Sequence, residues 1–198
     1  MSNYNLRRIK APAYEPVTVN EVKAHTHIDY SNDDVLIQKW IRSARELIEG
    51  YQHVSYVPQQ FKLILDDYPK DILYIPMSPV KSIDKIKYNL INNLSIEHPL
   101  QYFFVDLYSV PARIVPIFGG GWGDYILCKI GGIEIDYTAG YELYAGVTPG
   151  PEEIIECIPE PVKQAIIIYC AWQNGNREGE KEIPEQFYDL IRPGVIYL

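Results

Sequence analysis

The sequence predicts an α+β fold in which a small helical bundle carries an inserted antiparallel β unit. Apolar side chains recur at spacings of three and four between Leu36 and Tyr51, as on one face of an amphipathic helix. About seven short apolar runs separated by Pro and Gly follow, as in antiparallel β structure. Helical spacing then returns after Pro159. The predicted regions are an N-terminal arm with two helices (1–57), the β insertion (58–150), and a returning helix with an extended C-terminal tail (151–198).

The N-terminal residues show no apolar period, and so we expect an extended arm. Thr18 and Glu21 have the spacing of a capping box, in which each residue's side chain accepts from the other's backbone amide. A short helix is therefore predicted from about Val19 to Ile28. The arm itself is a candidate for ordering only on assembly. Its cations are Arg7, Arg8 and Lys10.

The second helix starts after acidic capping residues around Asp34, where the helix dipole favours carboxylates, and stops near Gly50. Its apolar face includes Trp40 and predicts packing against another helix. Its other face carries polar and charged side chains and is predicted to lie at the surface. These are Gln38, Lys39, Arg42, Arg45, Glu46 and Glu49.

The middle of the chain changes from helical to alternating patterns at Pro58. A turn is expected between two of the strands, over residues 89–99, because it contains Asn92-Asn93. The predicted strands cover residues 61–66, 72–75, 83–88, 102–107, 112–117, 125–130 and 132–137.

The last helix follows Pro161, which suits a first helical turn, and it breaks at Asn174-Gly175. Cys170 lies on its apolar face and is predicted to be a small core residue. The remaining segment from Phe187 to Leu198 is apolar but too short to build its own core. We expect it to extend from the subunit or to pack back onto it.

Composition excludes several classes of protein. The 198 residues carry a formal net charge of −8, and residues 142–198 hold 10 acidic against 4 basic side chains. A basic face for gripping nucleic acid is therefore not expected. Three scattered cysteines do not make a disulfide framework or a zinc site. No signal peptide or membrane span is predicted, and we expect a soluble intracellular protein with reduced thiols.

No catalytic, cofactor or metal site is predicted. The glycine-rich stretch Gly119–Gly123 lacks the Lys and Ser/Thr of a phosphate loop and predicts a flexible hairpin loop. His25 and His27 are two residues apart on a helix and point in different directions. The acidic pair Asp66-Asp67 fits a solvated strand end better than acid–base catalysis. Among the tryptophans, Trp122 is the better candidate for an exposed contact.

Six sets of segments, in one order along the chain, resemble the head–tail connector (adaptor) proteins of tailed bacteriophages. The group concerned has a β insertion between its second and third helices. The resemblance covers roughly residues 15–180. The matching segments are 17–24, 33–37 with 44–51, 60–66 with 75–83, 111–116, 135–141, and 158–166 with 176–178.

The resemblance implies a structural virion protein that is not an enzyme. Connectors of this kind form a ring, typically of twelve copies, below the portal protein at the neck of the virion. The ring extends the DNA channel, through which double-stranded DNA passes without specific binding, and it offers a platform for a stopper or tail-completion protein. No cofactor and no membrane are implied, and the protein is made in the host cytoplasm. Another neck or tail component is the alternative, and a small hydrolase using Asp66 or Asp67 with a histidine is a weaker one.

The resemblance leads to hypotheses about three functional surfaces. A ring interface is expected on the polar side of the second helix, against the alternative of a plain solvated face, at Lys39, Arg42, Arg45, Glu46 and Glu49. Portal binding is expected in the tail, at Ile191, Val195, Ile196, Tyr197 and Leu198. A surface facing the channel or solvent is expected at the acidic residues Glu178, Glu180, Glu182 and Glu185.

Overall fold

The computed structural model describes residues 4–117, 121–141, 157–177 and 182–196, and the chain divides into two compact units. One unit comprises the N-terminal residues up to Pro12 together with Pro58–Gly140, and it holds the β structure. The other comprises Ala13–Val57 and the chain from Tyr141 to Tyr197, and it holds the helices. A β unit inserted between helices confirms the predicted α+β fold class.

The helical unit begins as its sequence predicts. The Thr18 hydroxyl oxygen accepts from the Glu21 amide at 3.2 Å, and the Glu21 carboxylate accepts from the Thr18 amide at 2.7 Å, so the capping box is present.

A short 3₁₀ turn over Arg192–Gly194 follows the last helix. The described helices are α1 (Val19–Thr26), α2 (Asp34–Gln52), α3 (Glu160–Gly175) and α4 (Glu185–Ile191).

One hydrophobic core holds these helices together. The predicted apolar faces of α2 and α3 supply its centre, and Cys170 is fully buried there, as predicted. The C-terminal segment, predicted as an extended tail, instead folds into α4 and adds Phe187 and Ile191 to the core. Burying two large apolar side chains stabilises this placement by several kcal/mol at about 1.5–3 kcal/mol each. No described helix is long and apolar enough to cross a membrane.

The β unit contains two antiparallel sheets that share one core. A five-stranded sheet has the order β1-β2-β8-β4-β5, and a three-stranded sheet has the order β3-β7-β6. The strands are β1 (Tyr4–Lys10), β2 (Gln59–Leu65), β3 (Leu73–Ile75), β4 (Val80–Asn89), β5 (Ser95–His98), β6 (Phe103–Asp106), β7 (Ala112–Pro116) and β8 (Ile133–Ala139).

Strict alternation fixes the register at the centre of the larger sheet. Phe61, Leu63 and Leu65 of β2 face the core, while the residues between them face outward. The pairing of Leu63 with Ile135 of β8 keeps both buried rows on the same side. A slip of one residue would expose the whole row, and so the apolar pattern alone specifies this register.

Three local predictions are corrected. Residues 4–10, expected as an arm that orders on assembly, form β1 along the free edge of β2. The predicted strand 125–130 makes a single bridge, between Leu127 and Leu90. The predicted turn over 89–99 is shorter, because the chain reverses at 90–94 and then forms β5. In each case the apolar pattern is short, and the segment forms a strand only where the backbone of an adjacent strand is available for hydrogen bonding.

Candidate assembly surfaces

The charged face of α2 is smaller than its sequence predicts. Lys39, Arg42 and Glu46 are exposed, in agreement with the predicted polar face. Arg45 and Glu49 are only 1% and 3% exposed, and their predicted place on that face is therefore wrong. They lie on the border between the two faces, where residues from other segments cover them.

Arg45 is the centre of a buried ionic cluster. Its Nε donates to Glu15 Oε2 and its Nη1 to Glu49 Oε2, both at 2.6 Å. The backbone amide of Tyr56 donates to Glu49 Oε1 at 2.9 Å. Burial by itself lowers the pKa of the Arg45 guanidinium, but the bonds to Glu15 and the charge of Glu49 outweigh burial and raise that pKa. The cluster joins the chain before α1 to the loop after α2, and so it serves the subunit's own fold.

Gln52, the last residue of α2, holds the C-terminal segment. Its side-chain nitrogen donates to the Ile191 carbonyl oxygen at 2.6 Å, and its backbone carbonyl accepts from the Ile196 amide at 3.0 Å. The Tyr56 hydroxyl donates to the Gln52 side-chain oxygen. Gly194 passes so close to the Gln52 side-chain amide that a Cβ at this position would overlap with Gln52 Nε2. The chain after α4 is therefore held at both ends of a short loop.

This arrangement changes the predicted portal-binding segment. Ile191 is fully buried in the core of its own subunit, and so it is not part of a free tail. Val195 and Ile196 are half-buried, and Ile196 packs against the same core. Tyr197 and Leu198 lie outside the described residues. Portal binding by the end of the chain stays a prediction.

The structure describes two of the four glutamates of the predicted acidic surface. Glu182 and Glu185 are exposed, whereas Glu178 and Glu180 lie outside the described residues. Just before that segment, Arg177 donates to Asp33 Oδ2 at 2.6 Å, and this hydrogen bond holds the pKa of the Asp33 carboxyl below its usual value. Whether the glutamates face a channel stays a prediction.

Trp122 is the one tryptophan whose predicted placement is wrong. It is 5% exposed in the core of the β unit rather than at a contact surface. Its Nε1 donates to the Asp71 carbonyl at 2.9 Å, and its own carbonyl accepts from the Tyr88 hydroxyl at 2.7 Å. The neighbouring Gly123 has a φ of +143°, a conformation that suits glycine. The flexibility predicted for Gly119 and Gly120 falls outside the described residues.

The acidic pair near the end of β2 has a structural role. Asp66 Oδ1 accepts from the Gly131 amide and Asp67 Oδ1 from the Tyr68 amide, both at 2.8 Å. These carboxylates lie in an open groove of about 560 Å³ whose described lining contains no histidine. Among the described residues, no group of three or more His, Cys, Asp or Glu is placed to hold a metal. The hydrolase alternative gains no support from this groove.

The outer face of the five-stranded sheet is covered by ion pairs. Lys62 Nζ lies 2.7 Å from Glu134 Oε2 and 3.5 Å from Asp136 Oδ1. At the next pair of strands, Lys85 Nζ lies 2.5 Å from Glu97 Oε2. The hydrogen bond to Glu134 raises the pKa of the Lys62 ammonium. We call this set of five side chains the charged lattice.

The outer face of the three-stranded sheet is mainly apolar. Phe104 of β6 pairs with Val115 of β7 and is 66% exposed. These two side chains and Ile72 line a groove of about 260 Å³, together with an ion pair in which Arg113 Nε lies 2.8 Å from Asp106 Oδ2. We call this groove the sheet groove. Hydrogen bonds from Ser109 and Arg113 lower the pKa of Asp106 to about 2, so its pair with Arg113 persists in mild acid.

Two kinds of comparison relate the chain to known proteins. Residues 16–102 match the model of a family described as phage gp6-like head–tail connector proteins. The match runs from before α1 to the end of a short 3₁₀ helix, Leu100–Tyr102, that follows β5, and over this range it confirms the resemblance predicted from the sequence. No curated protein matches the chain significantly in sequence.

Solved structures share the fold over almost the whole chain. A chain in the neck of an empty gene transfer agent (GTA) particle, computed with C6 symmetry, has a TM-score of 0.78 at 18% identity. A chain in the virion of a native GTA particle has 0.76 at 19%, and one in the neck of a native particle, computed with C12 symmetry, has 0.73 at 20%. Each match covers 98% of this chain and 96% of the other. At these identities the likeness establishes a common fold.

Proposed function

We propose that this chain is a head–tail connector protein with a structural role in a virion neck, and that it forms a ring of identical copies below the portal. There it extends the DNA channel and carries the next tail component. The observation that carries the proposal is the connector-family match over residues 16–102. A fold shared along 98% of the chain with components of a particle neck supports it. Twelve copies agree with the C12 symmetry stated for one of those necks.

The charge of the chain suits a channel through which DNA moves. A formal net charge of −8 per copy opposes tight binding to phosphates, because nucleic-acid affinity depends on cations that release condensed counterions. Glu182 and Glu185 are exposed and carry negative charge into solvent. An acidic wall of this kind lets the duplex slide. We propose that the segment from Glu178 to Glu185 faces the channel.

Neighbouring copies in a ring meet through two different surfaces, because a rotation other than a two-fold brings one face of a subunit to another face of the next. The exposed charges of α2, Lys39, Arg42 and Glu46, are a candidate for one of these surfaces. Arg45 and Glu49 are occupied within their own subunit and are not part of that proposal.

The end of the chain is proposed to reach the portal. The Gln52 contacts fix the chain up to Ile196, and so an anchoring segment starts there rather than at Ile191. The residues that follow Ile196 are the apolar Tyr197 and Leu198. Short apolar segments of this kind bind in grooves or add to sheet edges of a partner.

Electron microscopy of the purified chain, alone and mixed with the portal protein encoded beside it, tests the function. We expect rings with cyclic symmetry stacked on the portal and no enzymatic turnover. A variant lacking residues 197–198 should still form rings but bind the portal more weakly. Rings that never associate with the portal would contradict the connector role, and unchanged portal binding by the shortened chain would contradict the anchoring role alone.

A further inference from the structure

The sheet groove has the features of a protein contact site. An exposed aromatic, Phe104, and two aliphatic side chains surround it, and the ion pair of Arg113 with Asp106 forms its polar border. Contact sites that carry much binding energy combine an apolar centre with a polar rim in this way. Exposed apolar residues extend the same sheet face on both sides. They are Tyr74 (48% exposed), Tyr102 (43%) and Ile117 (47%).

A second exposed apolar cluster lies elsewhere in the same unit, at the end of the β4–β5 hairpin. Ile91 and Leu94 of the turn are 62% and 59% exposed, and Ile126 of the adjacent segment is 71% exposed. The Ile91 amide donates to the Ile126 carbonyl at 3.1 Å, which holds the two segments side by side. We call Ile91, Leu94 and Ile126 the hairpin tip.

The turn that carries the hairpin tip is well ordered by its own hydrogen bonds. The Leu90 amide donates to the Leu94 carbonyl at 2.8 Å, and the Leu94 amide donates to Asn92 Oδ1 at 3.2 Å. Cys128 Sγ lies 3.0 Å from the Leu90 carbonyl oxygen. A rigid tip loses little conformational entropy on binding, and so its apolar side chains favour association.

We propose that the sheet groove of one copy receives the hairpin tip of the neighbouring copy. The inference rests on the proposed ring, and it names the pair of surfaces that make one of its contacts. A cyclic ring needs two different complementary surfaces on each chain, and the β unit displays two. A groove of about 260 Å³ accommodates one or two aliphatic side chains of the size that the tip presents.

The distribution of charge favours a second copy of this chain as the occupant of the sheet groove. Each copy carries −8, and so copies repel one another unless they meet where charge is absent or balanced. Residues 90–94 and 125–128 contain no charged side chain, and the ion pair at the sheet groove is neutral as a whole. DNA is excluded as the occupant, because neither surface offers the unpaired cations that phosphates require.

The sheet groove is one contact among several in the ring. Three strands about 4.8 Å apart and five residues long span on the order of 240 Å², well below the roughly 800 Å² that each partner buries in a stable complex. The exposed charges of α2 and other surfaces supply the remainder. Loss of the groove should therefore weaken assembly without abolishing every contact.

Sedimentation velocity of the full chain, from about 10 µM to about 1 mM, tests the pairing. Phe104→Lys and Ile126→Lys place a charge in each half of the contact, and both positions are exposed, so the fold is preserved. Each variant should raise the dissociation constant for association about 30-fold, as the loss of one strong interface residue does. Ile9→Lys is the matched control, since Ile9 is an exposed apolar residue (53%) on a strand of the other sheet.

A charge-pair rescue makes the test specific. The double variant Phe104→Lys, Ile126→Glu should recover most of the lost association, because every groove then meets an acidic tip. In a mixture of ¹⁵N-labelled and unlabelled chains, a photo-crosslinker at position 104 should join peptides of different label and map to residues 90–94 or 125–128.

The outcomes separate this inference from the function it rests on. Rings that form equally well with Phe104→Lys, or crosslinks that reach another segment or only the portal protein, overturn the groove pairing and leave the connector function intact. A chain that stays monomeric throughout the concentration range, alone and with the portal, overturns both. Unchanged circular dichroism and melting temperature in each variant confirm that association, not folding, is measured.

Discussion

The two units of this chain differ in whether they bury an ion pair. The helical unit buries Arg45 between Glu15 and Glu49, with the guanidinium only 1% exposed. The β unit keeps its ion pairs outside, where Lys62 and Glu134 remain about a quarter exposed, and it leaves apolar side chains such as Phe104 in solvent. The helical unit satisfies this buried cation internally, whereas the outer face of the three-stranded sheet leaves an apolar groove in solvent. On the proposed pairing of sheet groove and hairpin tip, the β unit obtains part of its burial from a neighbouring copy.

The two outer faces within the β unit also differ from each other. The charged lattice needs no partner, because each described cation in it has a carboxylate within 4 Å. The sheet groove has one balanced ion pair and otherwise apolar walls. The side chains around the exposed strands therefore distinguish a charged outer face from an apolar one within the same unit.

The largest expected effect is the loss of the buried ionic cluster. Arg45→Ala leaves Glu49 buried without its cation, and such a change costs about 3–5 kcal/mol in the free energy of unfolding. Urea unfolding followed by circular dichroism measures it. Arg42→Ala is the control, because Arg42 is exposed and lies 3.8 Å from Glu15, and it should cost less than about 1 kcal/mol. Equal costs would mean that burial does not distinguish the two arginines.

The contact at Gln52 should have the next largest effect. Gln52→Ala leaves the Ile191 carbonyl and the Tyr56 hydroxyl without their partner, at a cost of about 1–3 kcal/mol. Hydrogen exchange should also become faster at the Ile196 amide, because the C-terminal segment loses its anchor. Unchanged exchange there would show that core packing and the retained Gln52 carbonyl hold the segment without the Gln52 side chain.

The charged lattice should matter much less than the buried cluster. Lys62→Met removes two ion pairs that remain partly in water, and the expected cost is below about 1 kcal/mol. The cost should shrink further at about 1 M salt, where the screening length falls to about 3 Å. A cost as large as that of Arg45→Ala would break the contrast between the two units.

The smallest expected effect on stability is at the sheet groove itself. Phe104→Ser exposes no core residue, and it should change the free energy of unfolding of the monomer by less than about 0.5 kcal/mol. Thermal melting at low protein concentration measures this. A substantial loss of stability would mean that Phe104 packs within its own subunit and is not held ready for a neighbour.

The contribution of the ion pair at the sheet groove to the stability of the fold should depend on pH. Because the folded pKa of Asp106 is lowered to about 2, its pair with Arg113 stabilises the fold above the unfolded pKa of about 4. That contribution is lost as pH falls from about 4 toward 2. Carbon-13 NMR titration of the Asp106 carboxyl checks the value. Arg113→Ala should move the midpoint upward, and an unmoved midpoint would assign the lowered pKa to the hydrogen bonds from Ser109 and Tyr108.

The sequence by itself determined the order of parts and most of their faces. The three-to-four spacing in α2, the capping box before α1 and the alternation in β2 are local patterns that the backbone period converts directly into buried and exposed sides. The connector resemblance followed from that order. The burial of Cys170 was predictable in the same way, because its neighbours at helical spacing are apolar.

Only the tertiary structure decided which residues at the edges of those patterns are covered. Helical spacing predicts which way Arg45 points, but it does not predict that Glu15, from the segment before α1, contacts it. Likewise, no local pattern predicts that Trp122 Nε1 donates to the Asp71 carbonyl. β1 exists because β2 has a free edge, and α4 folds back because Gln52 and the core accept it. These placements depend on contacts between residues 30 to 139 positions apart, which no local period encodes.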